Sequence, residues 1–301
     1  MRLPATLLHI LIAGQALIAG PALGQDPQIQ RLGDELVNSR DMGMRRKAAQ
    51  SLGRASGPQA VRLLATARRV EPKVAVRLAI LRALRAIAFL RYPGYREALS
   101  AIGEAANDDF EADELIRLRA TQALWEAGEK DLLDPVPMLD RQLSDRSPRL
   151  QLAAVKMLRK HGKPPVIDVL GRAAQDKTLG RSVRLKAIEA LGAVALSEGG
   201  VVGREIAAAN MASTKLLGIQ PVMSSASVDN RHGRQIQLLA AVVEDPDNGL
   251  PLVLRAIKSI GQVKDKSAIP VLQQIVLTHP HDGIRMQAAG VLSHVMARQY
   301  E

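Results

Sequence analysis

The sequence predicts an all-α chain of stacked antiparallel helix pairs, about six to seven repeats, and three observations predict it. The first is the stretch Ser182–Gly192, S-V-R-L-K-A-I-E-A-L-G, in which Val183, Ala187, Ile188 and Leu191, with Val194 beyond, recur at the spacing of one α-helical face. Lys186 and Glu189 fall on the opposite, wet face, and Gly192 is placed to relax the helix near its end. The second observation is that this helix is written again. Aligned on Leu191 are Met44–Gly53, Val76–Arg85, Ile116–Trp125, Leu150–Arg159, Leu252–Gly261 and Ile284–Ser293. Their anchors Leu52, Leu84, Leu124, Leu158, Leu191, Ile260 and Leu292 are separated by 32, 40, 34, 33, 69 and 32 residues. The third is a second apolar helical run between anchors: Gln59–Arg68, Tyr95–Ala106, Val136–Leu143, Val166–Ala174, Gln235–Val243 and Ile269–Val276. One amphipathic helix cannot bury its stripe alone, and a period in the low thirties suits a helix pair with two turns. Each unit is an A helix followed by a B helix, stacked on the next pair.

Taken in order, Met1–Gly24 reads as a secretory signal: Arg2, a short apolar centre, and small residues at Ala22 and Gly24 before Gln25. Pro4, His9 and Gln15 interrupt the apolar run, which disfavours a membrane span. Asp26-Pro27 then reads as N-cap plus first-turn proline, and Ile29, Leu32 and Leu36 give the stripe of a capping helix within 25–42. The first pair follows, its B helix opening beside Pro58; Pro165 and Pro270 stand at the corresponding starts of later B helices. The second pair turns at Tyr92-Pro93-Gly94, and the acidic loop 108–114 (D-D-F-E-A-D-E) accounts for its long interval. The third and fourth pairs are regular. In the fifth the pattern lapses over 197–233, read either as an insertion between its two helices or as a degenerate repeat. The whole of 25–301 is read as one solenoid.

The hydrophobic-Arg-x-x-Ala-x-x-Ala-Leu-Gly core, fullest at Val183–Gly192, resembles the HEAT-repeat family, specifically the short bacterial lyase-type HEAT-like repeats. Met44–Gly53 and Ile116–Trp125 keep most of it, whereas Leu150–Arg159 lacks the arginine. The resemblance implies a right-handed α-solenoid. It is almost silent on function, since such proteins are scaffolds, adaptors, inhibitors and, in some cases, enzymes.

Composition narrows the partners. Trp125 is the only tryptophan, with three tyrosines and two phenylalanines, too few for a base-stacking platform. With no cysteine there is no disulfide, thiolate zinc site or thiol nucleophile. Beyond residue 24 the basic and acidic side chains number 15 and 6 over 25–100, 15 and 16 over 101–200, and 10 and 8 over 201–301. The positive excess therefore sits in the first two repeats and favours an acidic partner. Export removes nucleic acid from the expected partners, and no cofactor is expected.

Among candidate sites, the recurring Arg45, Arg77, Arg117, Arg184 and Arg285, with acids such as Asp109, Asp176 and Asp282 before them, read as an internal charge ladder closing turns and helix starts. His279-Pro280-His281-Asp282 offers metal ligands but reads as an exposed turn, as does His161. No Gly-rich phosphate loop followed by lysine, no G-x-S-x-G and no H-E-x-x-H is present. The expectation is an exported, non-catalytic scaffold, secreted or periplasmic, that binds a protein with an acidic surface. Its contact surface is the concave face of the B helices: Gln59, Arg62, Arg69, Arg96, Arg141 and Arg172. The alternatives are attachment to an anionic envelope lipid or polymer through the basic N-terminal third, or a lyase-type enzyme with residues converging in the concavity.

Overall fold

The computed structural model describes residues 26–162, 164–194, 226–263 and 265–298. The signal reading of 1–24 lies outside the described residues, and so does most of 197–233. Among the described residues there are fourteen α-helices and no strand. They are α1 (Pro27–Asn38), α2 (Met42–Ala55), α3 (Gly57–Val70), α4 (Val74–Phe89), α5 (Tyr95–Ala106), α6 (Glu114–Glu129) and α7 (Val136–Gln142). There follow α8 (Pro148–His161), α9 (Pro165–Gln175), α10 (Arg181–Ala193), α11 (Ala226–Glu244), α12 (Leu250–Gln262), α13 (Ala268–Thr278) and α14 (Asp282–Ala297). Every A and B helix expected from the periodicity is present, as a HEAT-like stack of helix pairs.

The chain divides into two compact units, one ending at Ala105 and the other beginning at Ala106. In the first, A helices α2 and α4 pack side by side, and α1 lies against α2 and α3 as a cap. Asp26 caps α1 by accepting from the amides of Gln28 (2.8 Å) and Ile29 (3.4 Å). Leu36 is buried, with Ile29 and Leu32 half-buried beside it. In the second unit the A helices α8, α10, α12 and α14 form one row and the B helices α9, α11 and α13 another. One apolar core runs through both rows from Trp125 to Val295.

The α10 stripe is buried as expected: Val183, Ala187, Ile188, Leu191 and Val194. The anchors Leu52, Leu84, Leu124, Leu158 and Ile260 are buried with it. Leu292 is only half-buried, because α14 has no further A helix among the described residues to cover it. Met44 departs from its aligned partners and is 43 % exposed.

Two expectations need correction. The expected irregular segment ends earlier, since α11 already runs from Ala226 and Ala226–Gly233 is helical. Gly192 does not loosen the end of α10; it lets α12 approach. A Cβ at Gly192 would lie 2.8 Å from the Ser259 Cα and 2.9 Å from its carbonyl oxygen. Gly53 does the same between α2 and α4, where a Cβ would come within 3.0 Å of the Ala83 Cα. Small residues at this register bring the A helices close and leave shallow grooves on their outer face.

Candidate functional site

The recurring arginines are structural, as read from the sequence. Each turns its guanidinium back onto carbonyls of the preceding helix end or of the turn that follows it. Arg45 donates to Ser39 O (2.9 Å), Arg77 to Glu71 O (3.1 Å), and Arg117 to Glu111 O (3.0 Å) and Ala112 O (2.8 Å). Arg184 donates to Ala174 O (3.0 Å) and Arg285 to His279 O (2.8 Å). In α8, where the arginine is missing, Gln151 makes the equivalent bond to Asp145 O (2.7 Å).

The partner acids differ from those expected. Two come from the following turn: Glu71 takes Arg45 (2.8 and 3.1 Å) and Asp145 takes Arg117 (2.9 and 3.0 Å), while for Arg184 the neutral amide oxygen of Asn248 stands at that place. Glu71 and Asp145 also accept the amides of Lys73 and Ser147, so one carboxylate shapes its own turn and ties two repeats. Asp109 and Asp176 serve their own turns instead: the Asp109 amide donates to Asn107, and Asp176 accepts from Thr178. Asp282 does pair with Arg285.

The six B-helix candidates fall into two groups. Gln59 is half-buried and accepts the Asp26 amide at 3.0 Å. Arg69 grips Glu104 of α5 through two nitrogens (2.8 and 3.2 Å), and Arg68 reaches the same carboxylate. Glu104, just beyond the basic 25–100 window, thus takes Arg69 out of the expected B-helix contact surface. Arg172 pairs with Asp140 at 2.6 Å. Arg62, Arg96 and Arg141 remain exposed, and among the described residues none meets a carboxylate. Arg96 instead donates to the Tyr95 hydroxyl at 3.1 Å.

A second set of cations lies on the A helices, where Arg45 is already held by Glu71. Helices α2 and α4 carry Arg45, Arg46, Lys47, Arg54, Arg77, Arg82 and Arg85 and no acid. Between them runs a groove of ≈350 Å³ with a floor of Gly53, Ala79, Ala83 and Ala86. Gln50, Arg54 and Arg82 form its polar walls, and Leu90 and Tyr92, 60 % and 38 % exposed, stand at its end. Among the described residues neither Arg54 nor Arg82 meets a carboxylate. Two such guanidinium forks over an aliphatic floor can take carboxylates bidentately. The B-helix focus missed this groove, although the acid-free composition of the first two A helices was its signal.

The histidine motif behaves as a turn. The His281 amide donates to His279 Nδ1 (3.2 Å), and burial beside the His281 ring holds the His279 imidazole below its ordinary value. Among the described residues no three His, Asp or Glu side chains converge as metal ligands would. His161 packs edge-on against Trp125, ring centres 5.7 Å apart.

Helix pairs stacked in rows and tied through a recurrent arginine are a HEAT-like arrangement. The family model of HEAT repeats matches residues 110–192, which span α6 to α10, so this part of the chain is built of HEAT repeats. The chain is similar to human deoxyhypusine hydroxylase in complex with glycerol at 18% identity, covering 89% of this chain and 96% of that one, with a TM-score of 0.34. It is similar to YibA of Escherichia coli at 15% identity, over 89% of this chain and 82% of that one, with a TM-score of 0.43. The CpcE–CpcF complex of phycocyanin lyase from Nostoc gives 16% identity, 92% and 98% coverage, and a TM-score of 0.35. These likenesses say nothing of what this chain binds or turns over. A search of the curated proteins found no match.

Proposed function

We propose that this chain is an exported HEAT-repeat scaffold that docks a protein partner with an acidic surface and performs no covalent chemistry. The observation that carries this reading is the α2/α4 groove, where Arg54 and Arg82 stand over a small-residue floor without a carboxylate. A paired surface arginine has little left to offer a partner, whereas an unmatched one adds both on-rate and orientation. The B-helix surface is the second reading, favoured by the exposure of Arg62, Arg96 and Arg141. Export rests on the sequence of the first 24 residues and places the mature protein outside the cytoplasm, secreted or periplasmic.

The test is crosslinking and pull-down from the exporting compartment, with charge reversal at each face. Arg54→Glu with Arg82→Glu should abolish capture while helicity and melting stay unchanged. Undiminished capture by that variant, with loss in Arg62→Glu/Arg69→Glu, would move the site to the B helices. Mass spectrometry of the exported protein should find Gln25 as its first residue, and an intact Met1 species there would refute the cleaved signal.

A further inference from the structure

The second unit has its own groove between consecutive A helices, and its charge is of a different kind. The space between α8 and α10 holds ≈350 Å³ over a floor of Leu152, Val155 and Ala190. Lys156 and Arg159 of α8 line one wall, and Lys186 and Glu189 of α10 the other. Glu189 is the only acid of this lining. Its two oxygens are held by Lys186 (2.6 Å) and by Arg255 of α12 (2.8 Å), and the Arg159 charge also bears on it. Lys156 and Arg159 themselves meet no carboxylate among the described residues. Two cations thus share one carboxylate, and Lys156 and Arg159 stand beside them without one of their own. Elsewhere in this unit Arg149, Lys160, Arg172, Lys177 and Arg234 each have a carboxylate of their own.

We infer that the α8/α10 groove is a docking site for an acidic peptide segment carrying an aliphatic side chain, with Glu189 standing in for one of that segment's carboxylates until it arrives. A glutamate or aspartate of the segment would lie between Lys156 and Arg159, whose spacing of three residues puts them one helical turn apart on one face. A second would compete with Glu189 for Lys186 and Arg255. The aliphatic side chain would cover Leu152 and Val155. A protein segment is favoured over a bare polyanion by that apolar floor, which gains nothing from a phosphate chain. This site does not rest on the α2/α4 reading, and either can fail alone.

The test is fluorescence anisotropy of a labelled oligoglutamate peptide with one central leucine, titrated with the full chain. It is run in an Arg54→Glu/Arg82→Glu background so that the first groove does not contribute. Lys156→Glu/Arg159→Glu should abolish the remaining binding, and the milder Lys156→Gln/Arg159→Gln should weaken it, with circular dichroism and melting checked for each. A matched reversal at Lys266 and Arg298, both exposed and distant in sequence, should leave it intact. Glu189→Gln removes the resident competitor and should tighten binding about threefold to tenfold at low salt. Equal losses from the Lys266/Arg298 control would reduce the effect to net charge and overturn the site. So would retained binding in both α8 variants, or loss in them of binding to equal-part phosphatidylglycerol and phosphatidylcholine vesicles but not to the peptide. An unchanged or weaker affinity in Glu189→Gln would overturn the role given to Glu189.

Discussion

Substituting Gly192 by alanine tests a close backbone approach between two A helices. The added Cβ would sit 2.5 Å from the Ser259 Cβ, 2.8 Å from its Cα and 2.9 Å from its carbonyl oxygen. Ordinary carbon contacts lie near ~3.5–4.0 Å, so α10 and α12 must separate by on the order of 1 Å. Two of the three obstructing atoms are backbone, and no side-chain rotation relieves them. Overpacking of this kind costs about 1–3 kcal/mol, with rigid neighbours at the upper end. Alanine recovers about 0.8–1 kcal/mol of helix propensity. The net expectation is a loss of about 1–2 kcal/mol, or roughly 2–8 °C in melting temperature. Gly290→Ala is the internal control: it lies in α14, and nothing stands within 4 Å of the added Cβ. There only the propensity gain remains, and melting should rise by roughly 2–4 °C. Thermal unfolding followed by circular dichroism reads both. If Gly192→Ala melts at or above wild type, α10 and α12 do not approach as described and the argument for glycine after the anchor leucine fails.

Asp145→Ala should cost about 3–5 kcal/mol, because it strands the Arg117 guanidinium in a site where both side chains are only 2 % exposed. Asp140→Ala, which removes the exposed partner of Arg172, should cost under about 1 kcal/mol, and equal losses in denaturant titrations would contradict the burial assigned here. Leu191→Ala should cost roughly 2–5 kcal/mol and Lys186→Ala under about 0.5 kcal/mol, so similar values would mean that the helix phase is wrong. The bond from Lys186, with Arg255 beside it, holds the Glu189 carboxyl below its ordinary value of 4.5. Between the two values the folded chain binds fewer protons than the unfolded one, so this contribution is whole above pH 4.5 and fades as pH falls through the lower folded value. The melting difference between wild type and Glu189→Gln should shrink in that window; a difference that grows with acidity would count against the pairing.

Local pattern determined the helices and their phase. Apolar residues three and four apart can be satisfied only on one helical face, so Val183, Ala187, Ile188 and Leu191 had to be buried together, and they are. A recurrence in the low thirties made each helix depend on a copy of itself, which is why the pairing into A and B rows was legible without coordinates. The turn arginines were legible as structural for the same reason, since a recurring residue at a fixed place in every repeat serves the repeat.

Which groups those arginines and the surface cations meet was settled only in three dimensions. Stacking brings residues about one repeat apart within hydrogen-bond reach, and the register of that approach depends on how closely the backbones pass. Arg117 reaches Asp145 rather than Asp109, and Glu104 takes Arg69 from 35 residues away. Charge counts along the chain average over such pairings and cannot tell a matched arginine from a free one. The acid-free composition of α2 and α4 could be read from the letters alone. That Gly53 and the alanines hollow a groove beneath Arg54 and Arg82 depends on the spacing of two helices, which packing sets and sequence order does not.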